Sequence, residues 1–272
     1  MGTLYIVPTP IGNLEDITLR ALRILKQVRL IAAEDTRTTS VLLRHYEILT
    51  PLTSYHEHNK IGKLESIFDA LANGDVALVS DAGMPGISDP GYELIRAALT
   101  QGIRVEPLPG ANAVLPALVG SGLPTDSFIF AGFIPKKYLA RQQFFEAYQD
   151  ETRTVIFYES PHRLVDSLTA IAEVLGERDI CVARELTKLY EEFTRGNVSD
   201  VLAHYQETPP RGEIAIVLGG KPTDADETWD ENRVRLALEA LLDEGESLSR
   251  AAKRIATQSG WNKRDVYALG NS

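Results

Sequence analysis

The chain has 272 residues, 44% hydrophobic and 24% charged, with a formal net charge of −10 at pH 7. This composition excludes a disordered or fibrous chain. The acidic balance speaks against nonspecific nucleic-acid binding, which depends on neutralising phosphates, although a local basic patch can still act within an acidic whole.

Residues 4–8 form the first short apolar run, and similar runs recur at 30–33, 76–80, 105–108, 128–133, 154–158, 180–183 and 213–218. Between them, residues 18–28, 60–71, 92–100, 163–175 and 200–205 carry apolar positions at spacings of three and four, the helical period. Strands alternating with helices predict an α/β fold with largely parallel sheets. Val76-Ala77-Leu78-Val79 is apolar throughout, as suits a strand covered on both faces. Gly120, Gly122 and Pro124 punctuate residues 118–127, where a linker is expected. The boundaries expected are therefore a first α/β domain over 1–120, a second over 125–220, and a small helical extension over 230–272, with helices at 234–242, 248–258 and 263–269. No apolar run approaches the ~20 residues of a membrane helix. The N-terminus lacks the basic and apolar regions of a signal peptide. Cys181, the single cysteine, sits in an apolar run and is expected to be a small buried residue. A cytoplasmic protein with no membrane partner is the expectation.

Three strand-to-helix turns carry unusual chemistry. Pro8-Thr9-Pro10-Ile11-Gly12-Asn13-Leu14 follows the first run, Ser80-Asp81-Ala82-Gly83-Met84-Pro85-Gly86-Ile87-Ser88-Asp89-Pro90-Gly91 follows the third, and Pro109-Gly110-Ala111-Asn112-Ala113 follows the fourth. Glycines let a ligand approach the backbone closely. In open parallel sheets, ligands bind beyond the carboxyl ends of the strands. Asp81, at a strand end, is placed to accept a hydrogen bond from a ribose hydroxyl or an amino group. Ser88 or Asp89 is expected to cap the following helix. No Walker loop, dinucleotide fingerprint or Gly-x-Ser-x-Gly elbow appears. With one cysteine and only His56 and His58 close among five histidines, no metal is expected. Two further charged strings follow strands: Phe157-Tyr158-Glu159-Ser160-Pro161-His162-Arg163 and Ala183-Arg184-Glu185-Leu186-Thr187-Lys188.

In order and spacing, the three turns resemble the loops of the tetrapyrrole (corrin/porphyrin) methylase superfamily, over about residues 1–220. Ala33-Glu34-Asp35-Thr36-Arg37, Ser54-Tyr55-His56-Glu57-His58-Asn59, the 80–91 loop and the two charged strings resemble its ribosomal-RNA branch. The resemblance implies two α/β domains with S-adenosylmethionine in the interdomain cleft, a homodimer, and 2′-O-methylation of a cytidine in 16S rRNA. Carried over by position, Pro10, Asp81, Ala82, Gly83, Met84, Asn112, Ala113, Glu159, Leu186 and Glu213 would hold the cofactor. Tetrapyrrole methylases usually carry Gly-Pro-Gly and Gly-Asp-Pro where this chain has Pro10-Ile11-Gly12 and Ser80-Asp81-Ala82, a departure that suits RNA over a porphyrin-type substrate. For activating a hydroxyl, Asp35, Glu185 and Lys188 are the catalytic candidates, with His56 and His58 beside them. The residues do not select among them. A lysine serves only with a depressed pKa or as an electrostatic stabiliser. Arg37, Arg163, Arg250, Arg254, Lys263 and Arg264, with Lys253 in the same stretch, are the RNA-phosphate candidates. The net charge favours an assembled 30S subunit over naked 16S rRNA as partner. A small tetrapyrrole-like substrate and a nonenzymatic ribosome-binding module are the competing readings.

Overall fold

The run at residues 76–79 shows how the first sheet is held. Val76 and Leu78 face one apolar layer, and Ala77 and Val79 face another, so successive side chains serve opposite faces and every one is buried. In the computed structural model, which describes residues 1–56, 60–222, 229–243 and 245–270, this half comprises β1 (Leu4–Ile6), α1 (Leu19–Gln27), β2 (Leu30–Ala33), α2 (Thr36–His45), β3 (Leu52–Ser54), α3 (Lys60–Ala72), β4 (Val76–Val79), α4 (Tyr92–Thr100) and β5 (Val105–Pro107). The sheet order is β3-β2-β4-β1-β5, parallel throughout. One face packs on Ile24 and Leu25 of α1 and Leu42 and Leu43 of α2, the other on Ile67 and Leu71 of α3 and Leu94 and Ala98 of α4.

The chain continues through α5 (Val114–Ser121), β6 (Phe128–Phe133), α6 (Tyr138–Glu146), β7 (Thr154–Glu159), α7 (Leu164–Leu175), β8 (Asp179–Arg184), β9 (Glu192–Asn197), α8 (Val198–Glu207) and β10 (Ile214–Leu218). This second sheet has the order β6-β7-β10-β8-β9. The expectation of largely parallel strands fails here: β6 and β7 are parallel, but β10 runs antiparallel to β7 and β8, and β9 antiparallel to β8. The loop between β8 and β9 carries no helix, and without a crossover a parallel return is closed to it. Phe145, Leu168, Ile171, Val201 and Tyr205 cover one face; Val114, Ala117 and Leu118 of α5 cover the other, against Ile156, Cys181, Ala183 and Val217. Residues 118–121, expected in a linker, thus belong to a helix that packs one face on the second sheet and exposes Leu115 and Val119 on the other. The connection begins at Gly122, in the left-handed conformation.

Several elements escape the sequence pattern, and for three of them the physical reason is plain. β9 reads Glu-Phe-Thr-Arg-Gly-Asn, a mostly polar edge strand with no apolar run. β3 has three residues. α2 carries three threonines, poor helix formers, and depends on the Asp35 side chain capping its start. The expected cap of α4 is also displaced. Gly91 occupies the N-cap with no side-chain bond, while Ser88 sits at φ 62° and Asp89 turns to the cavity described below.

The C-terminal part is α9 (Glu231–Asp243), α10 (Leu248–Ser259) and α11 (Lys263–Leu269). It has its own core of Val234, Leu238, Ala251, Ala252, Ile255 and Val266, fastened by Trp261 Nε1 donating to the Trp229 carbonyl at 2.6 Å. Because this core is separate, Ile255→Ala, which costs about 2–5 kcal/mol in a closed core, should abolish hydrogen-exchange protection in α9–α11 while leaving protection in both sheets intact. Equal loss of protection in β4 would refute the separateness.

Candidate active site

Strands β4, β1 and β5 are neighbours, so the three glycine- and proline-rich turns that follow them meet at one sheet edge. Two are stitched together: Thr9 N donates to Gly83 O at 3.0 Å, Gly83 N donates back to Thr9 O at 2.9 Å, and the Thr9 hydroxyl donates to the Ser80 carbonyl at 3.1 Å. Gly83 adopts φ 79°, a conformation side chains resist, and its bare Cα faces Ile11 and Asn112.

Opposite these turns stand the ends of β7 and β8 and the start of β10. A cavity of about 340 Å³ lies between the two sets, within the range of ligand pockets. Its first wall is Ile11, Ala82, Gly83, Met84, Ser88, Asp89, Asn112 and Ala113; its second is Phe133, Tyr158, Glu159, Leu186, Glu213 and Ala215. Of the ten expected cofactor residues, Ala82, Gly83, Met84, Asn112, Ala113, Glu159, Leu186 and Glu213 line it. Pro10 and Asp81 do not. Ile11 takes the wall position beside Pro10, and Asp81 turns toward β2, accepting from Asp35 N at 3.0 Å while its own N–H donates to Glu34 Oε2 at 3.3 Å.

Most charged groups here are already paired. The Glu159 carboxylate is fully buried; it pairs with Arg163 and accepts from Ser160 N at 2.6 Å and the Ser167 hydroxyl at 2.5 Å. That pairing withdraws Arg163 from the set of phosphate contacts: its guanidinium also bonds the Ser160 hydroxyl and faces inward. Lys188 Nζ bridges Glu185 Oε1 at 2.8 Å and Glu213 Oε2 at 3.0 Å, and Glu185 Oε1 also accepts from Glu213 N at 2.9 Å. Burial alone would lower the Lys188 pKa, but the two carboxylates outweigh it and hold it above the ordinary lysine range. Lys188 is therefore a fixed cation and no base. Hydrogen bonding from Lys188, and then from Glu213 N, draws Glu185 below the usual carboxylate range. Glu185 at φ 52° and Thr187 at φ 65° mark this loop as held in a sparsely populated conformation.

Asp35 caps α2 and binds Arg37 through both carboxylate oxygens; those bonds pull its pKa down to about 2. A carboxylate so stabilised is a weaker base than a free one. Arg37 itself is highly exposed. His56 lies at the end of β3, and His58 falls outside the described residues. Arg250, Lys253, Lys263 and Arg264 are exposed on the C-terminal helices, and Arg254 is paired with Glu246; none of these lines the cavity.

The residues that sequence reasoning missed are Asp89, Tyr158 and Glu34. Burial, then the charges of Glu34 and Asp81, pushes Asp89 up to about 6 against an opposing hydrogen bond from Ser80. Burial, with the Asp89 and Glu213 charges, pushes the Tyr158 hydroxyl up to about 12. Burial also raises Glu34. Only the folded arrangement creates these shifts; a lone aspartate in a turn carries no such signal.

Two facing α/β layers with a cavity at the carboxyl ends of a parallel sheet define a class, and the comparisons name it. The sequence profile of the Tetrapyrrole (Corrin/Porphyrin) Methylases matches residues 3–202, and the chain belongs to that family. Its curated relatives include proteins named ribosomal RNA small subunit methyltransferase I. That of Halalkalibacterium halodurans is 48% identical over 272 residues, covering 98% of this chain and 94% of the relative. That of Synechocystis sp. is 46% identical over 271 residues, covering 99% and 97%. Among solved structures, uroporphyrin-III C-methyltransferase from Thermus thermophilus complexed with S-adenyl homocysteine superposes with a TM-score of 0.55 at 19% identity, over 80% of this chain and 97% of that one. At that identity the likeness establishes the fold. Among the described residues, no helix is long and apolar enough to cross a membrane.

Proposed function

We propose that the protein transfers a methyl group from S-adenosylmethionine to the ribose 2′-hydroxyl of a cytidine in 16S rRNA, acting in the cytoplasm as a homodimer on the assembled 30S subunit. The observation that carries this reading is the cavity itself, built from three backbone-rich turns on one side and a locked charged loop on the other. The names of the relatives, which cover nearly the whole chain, support the choice of RNA.

The residues fit the cofactor. Bare backbone at Ala82–Met84 and the apolar Ile11, Leu186 and Ala215 suit a nucleoside, while Asn112 offers a polar end. Asp81 and Glu34, behind the turns, place negative charge beside the cavity, which favours a cationic sulfonium. Accordingly Ala82, Gly83, Met84, Asn112, Ala113, Leu186 and Glu213 hold the cofactor, Glu159 fixes the floor, and Pro10 and Asp81 support the turns from behind. When bound, S-adenosylmethionine supplies a methyl group already activated for in-line displacement, so positioning contributes much of the rate. Lys188, fixed by Glu185 and Glu213, stabilises negative charge developing on the attacking oxygen. Arg37, Arg250, Arg254, Lys263 and Arg264 contact RNA phosphates.

The test is transfer of labelled methyl from S-adenosylmethionine to 30S subunits from a strain lacking this gene, to naked 16S rRNA, and to a reduced porphyrin. Label on a ribose 2′-oxygen of the 30S RNA is expected. Label in the porphyrin alone would replace the substrate, and tight binding of the subunit without transfer would replace catalysis by a nonenzymatic docking role.

A further inference from the structure

Three acidic residues, Asp89, Glu159 and Glu213, are among those lining the cavity. Glu159 pairs with Arg163, and Glu213 shares Lys188 with Glu185. Asp89 has no cation against it among the described residues; the groups facing it are Glu34 at the end of β2, Asp81 and Ser80 after β4, and Tyr158 of β7. Its backbone position is imposed. Ser88 before it is held at φ 62°, and Gly91, beyond the rigid Pro90, is at φ 149°. Such strain persists where the surroundings over-determine a residue's place.

We propose that Asp89 is the catalytic base of the methyl transfer, an inference that rests on the function proposed above. The substrate hydroxyl oxygen forms the new bond to the methyl carbon. The carbon–sulfur bond breaks with its electron pair remaining on sulfur, which becomes a neutral thioether. The hydroxyl proton passes to the Asp89 carboxylate and from there to water. Tyr158 shares this end of the cavity with Asp89 and keeps its own proton at any working pH, so it serves as a donor that orients and not as a base. The other two acidic residues of the wall already face cations, Arg163 and Lys188. Asp89, crowded by like charges and partly buried, holds a proton up to about pH 6 and accepts one readily above it.

The experiment compares wild type with Asp89→Asn and Asp89→Glu in three measurements: labelled transfer to 30S subunits, calorimetric binding of S-adenosylhomocysteine, and the melting midpoint at pH 4 and pH 8. Asp89→Asn is expected to lose about 100-fold or more in turnover, the usual contribution of general-base catalysis, with affinity for S-adenosylhomocysteine unchanged. Asp89→Glu should recover part of the loss. The melting readout follows from linkage. A carboxyl raised from 3.8 to about 6 penalises the folded state only when ionised, so stability present below pH 4 is lost as pH rises through 6. The Asn variant lacks that loss, and its midpoint should rise relative to wild type between pH 4 and pH 8. Near-normal turnover of Asp89→Asn, or a fall in turnover matched by a fall in binding, overturns the assignment. A wild-type protein that labels no RNA overturns the functional reading first, and the base with it.

Discussion

Replacing Arg163 with methionine should destabilise the protein by about 3–5 kcal/mol, the cost of stranding a buried charge. The Glu159 side chain is wholly inaccessible, and Arg163 is the cation paired with it. With the arginine gone, Ser160 N and the Ser167 hydroxyl still bond the carboxylate, but two neutral donors cannot replace the lost charge. At about 2–4 °C per kcal/mol for a chain of this size, the melting midpoint should fall by on the order of 10 °C. The double variant Glu159→Gln/Arg163→Met should recover most of that loss, because the neutral amide oxygen still accepts from Ser160 N while its nitrogen donates to the Ser167 hydroxyl oxygen, leaving no charge to compensate. If the single and double variants melt together, the ion pair is not what holds this corner. Because Glu159 lies on the cavity wall, Arg163→Met should also weaken S-adenosylhomocysteine, and the double variant should restore it.

The second large effect concerns the contact between the two halves. Gly12 is exposed, yet a Cβ placed on it would lie 2.4 Å from Lys188 Cγ, 3.0 Å from Thr187 Oγ1 and 3.2 Å from the Leu186 carbonyl. The adjacent Asn13 N donates to Thr187 Oγ1 at 3.2 Å. Gly12→Val should therefore push the Leu186–Lys188 loop away from the first turn, breaking that bond and widening the cavity between Ile11 and Leu186. Overpacking of this kind costs about 1–3 kcal/mol, which at tenfold per 1.4 kcal/mol is roughly a 10- to 100-fold loss of S-adenosylhomocysteine affinity by calorimetry. The melting midpoint should fall by only several °C, at about 2–4 °C per kcal/mol, since neither sheet's core is touched. Undiminished affinity would mean that the two halves close independently of this contact.

Asp35 and Asp89 show what one-dimensional reading misses. Both stand in conspicuous strings and differ little in sequence context. Folding gives Asp35 an arginine and a helix to cap, so it becomes a strong acid; it gives Asp89 two carboxylate neighbours and a partly buried wall, so it becomes a weak one. Lys188 makes the same point: either lysine role was open until the two glutamates were seen to hold it.

By itself the sequence determined the alternation of strand and helix, the apolar period of each main element, and the three glycine- and proline-rich turns at strand ends. These are local properties, set by backbone sterics and by which side chains must leave water, so they can be read along the chain. The tertiary structure decided the antiparallel pairings of the second sheet, the packing of one face of α5 on that sheet, and the pairing of each charge. Those depend on which distant segments become neighbours, and the protonation of a carboxylate follows from the charges and solvent around it in space.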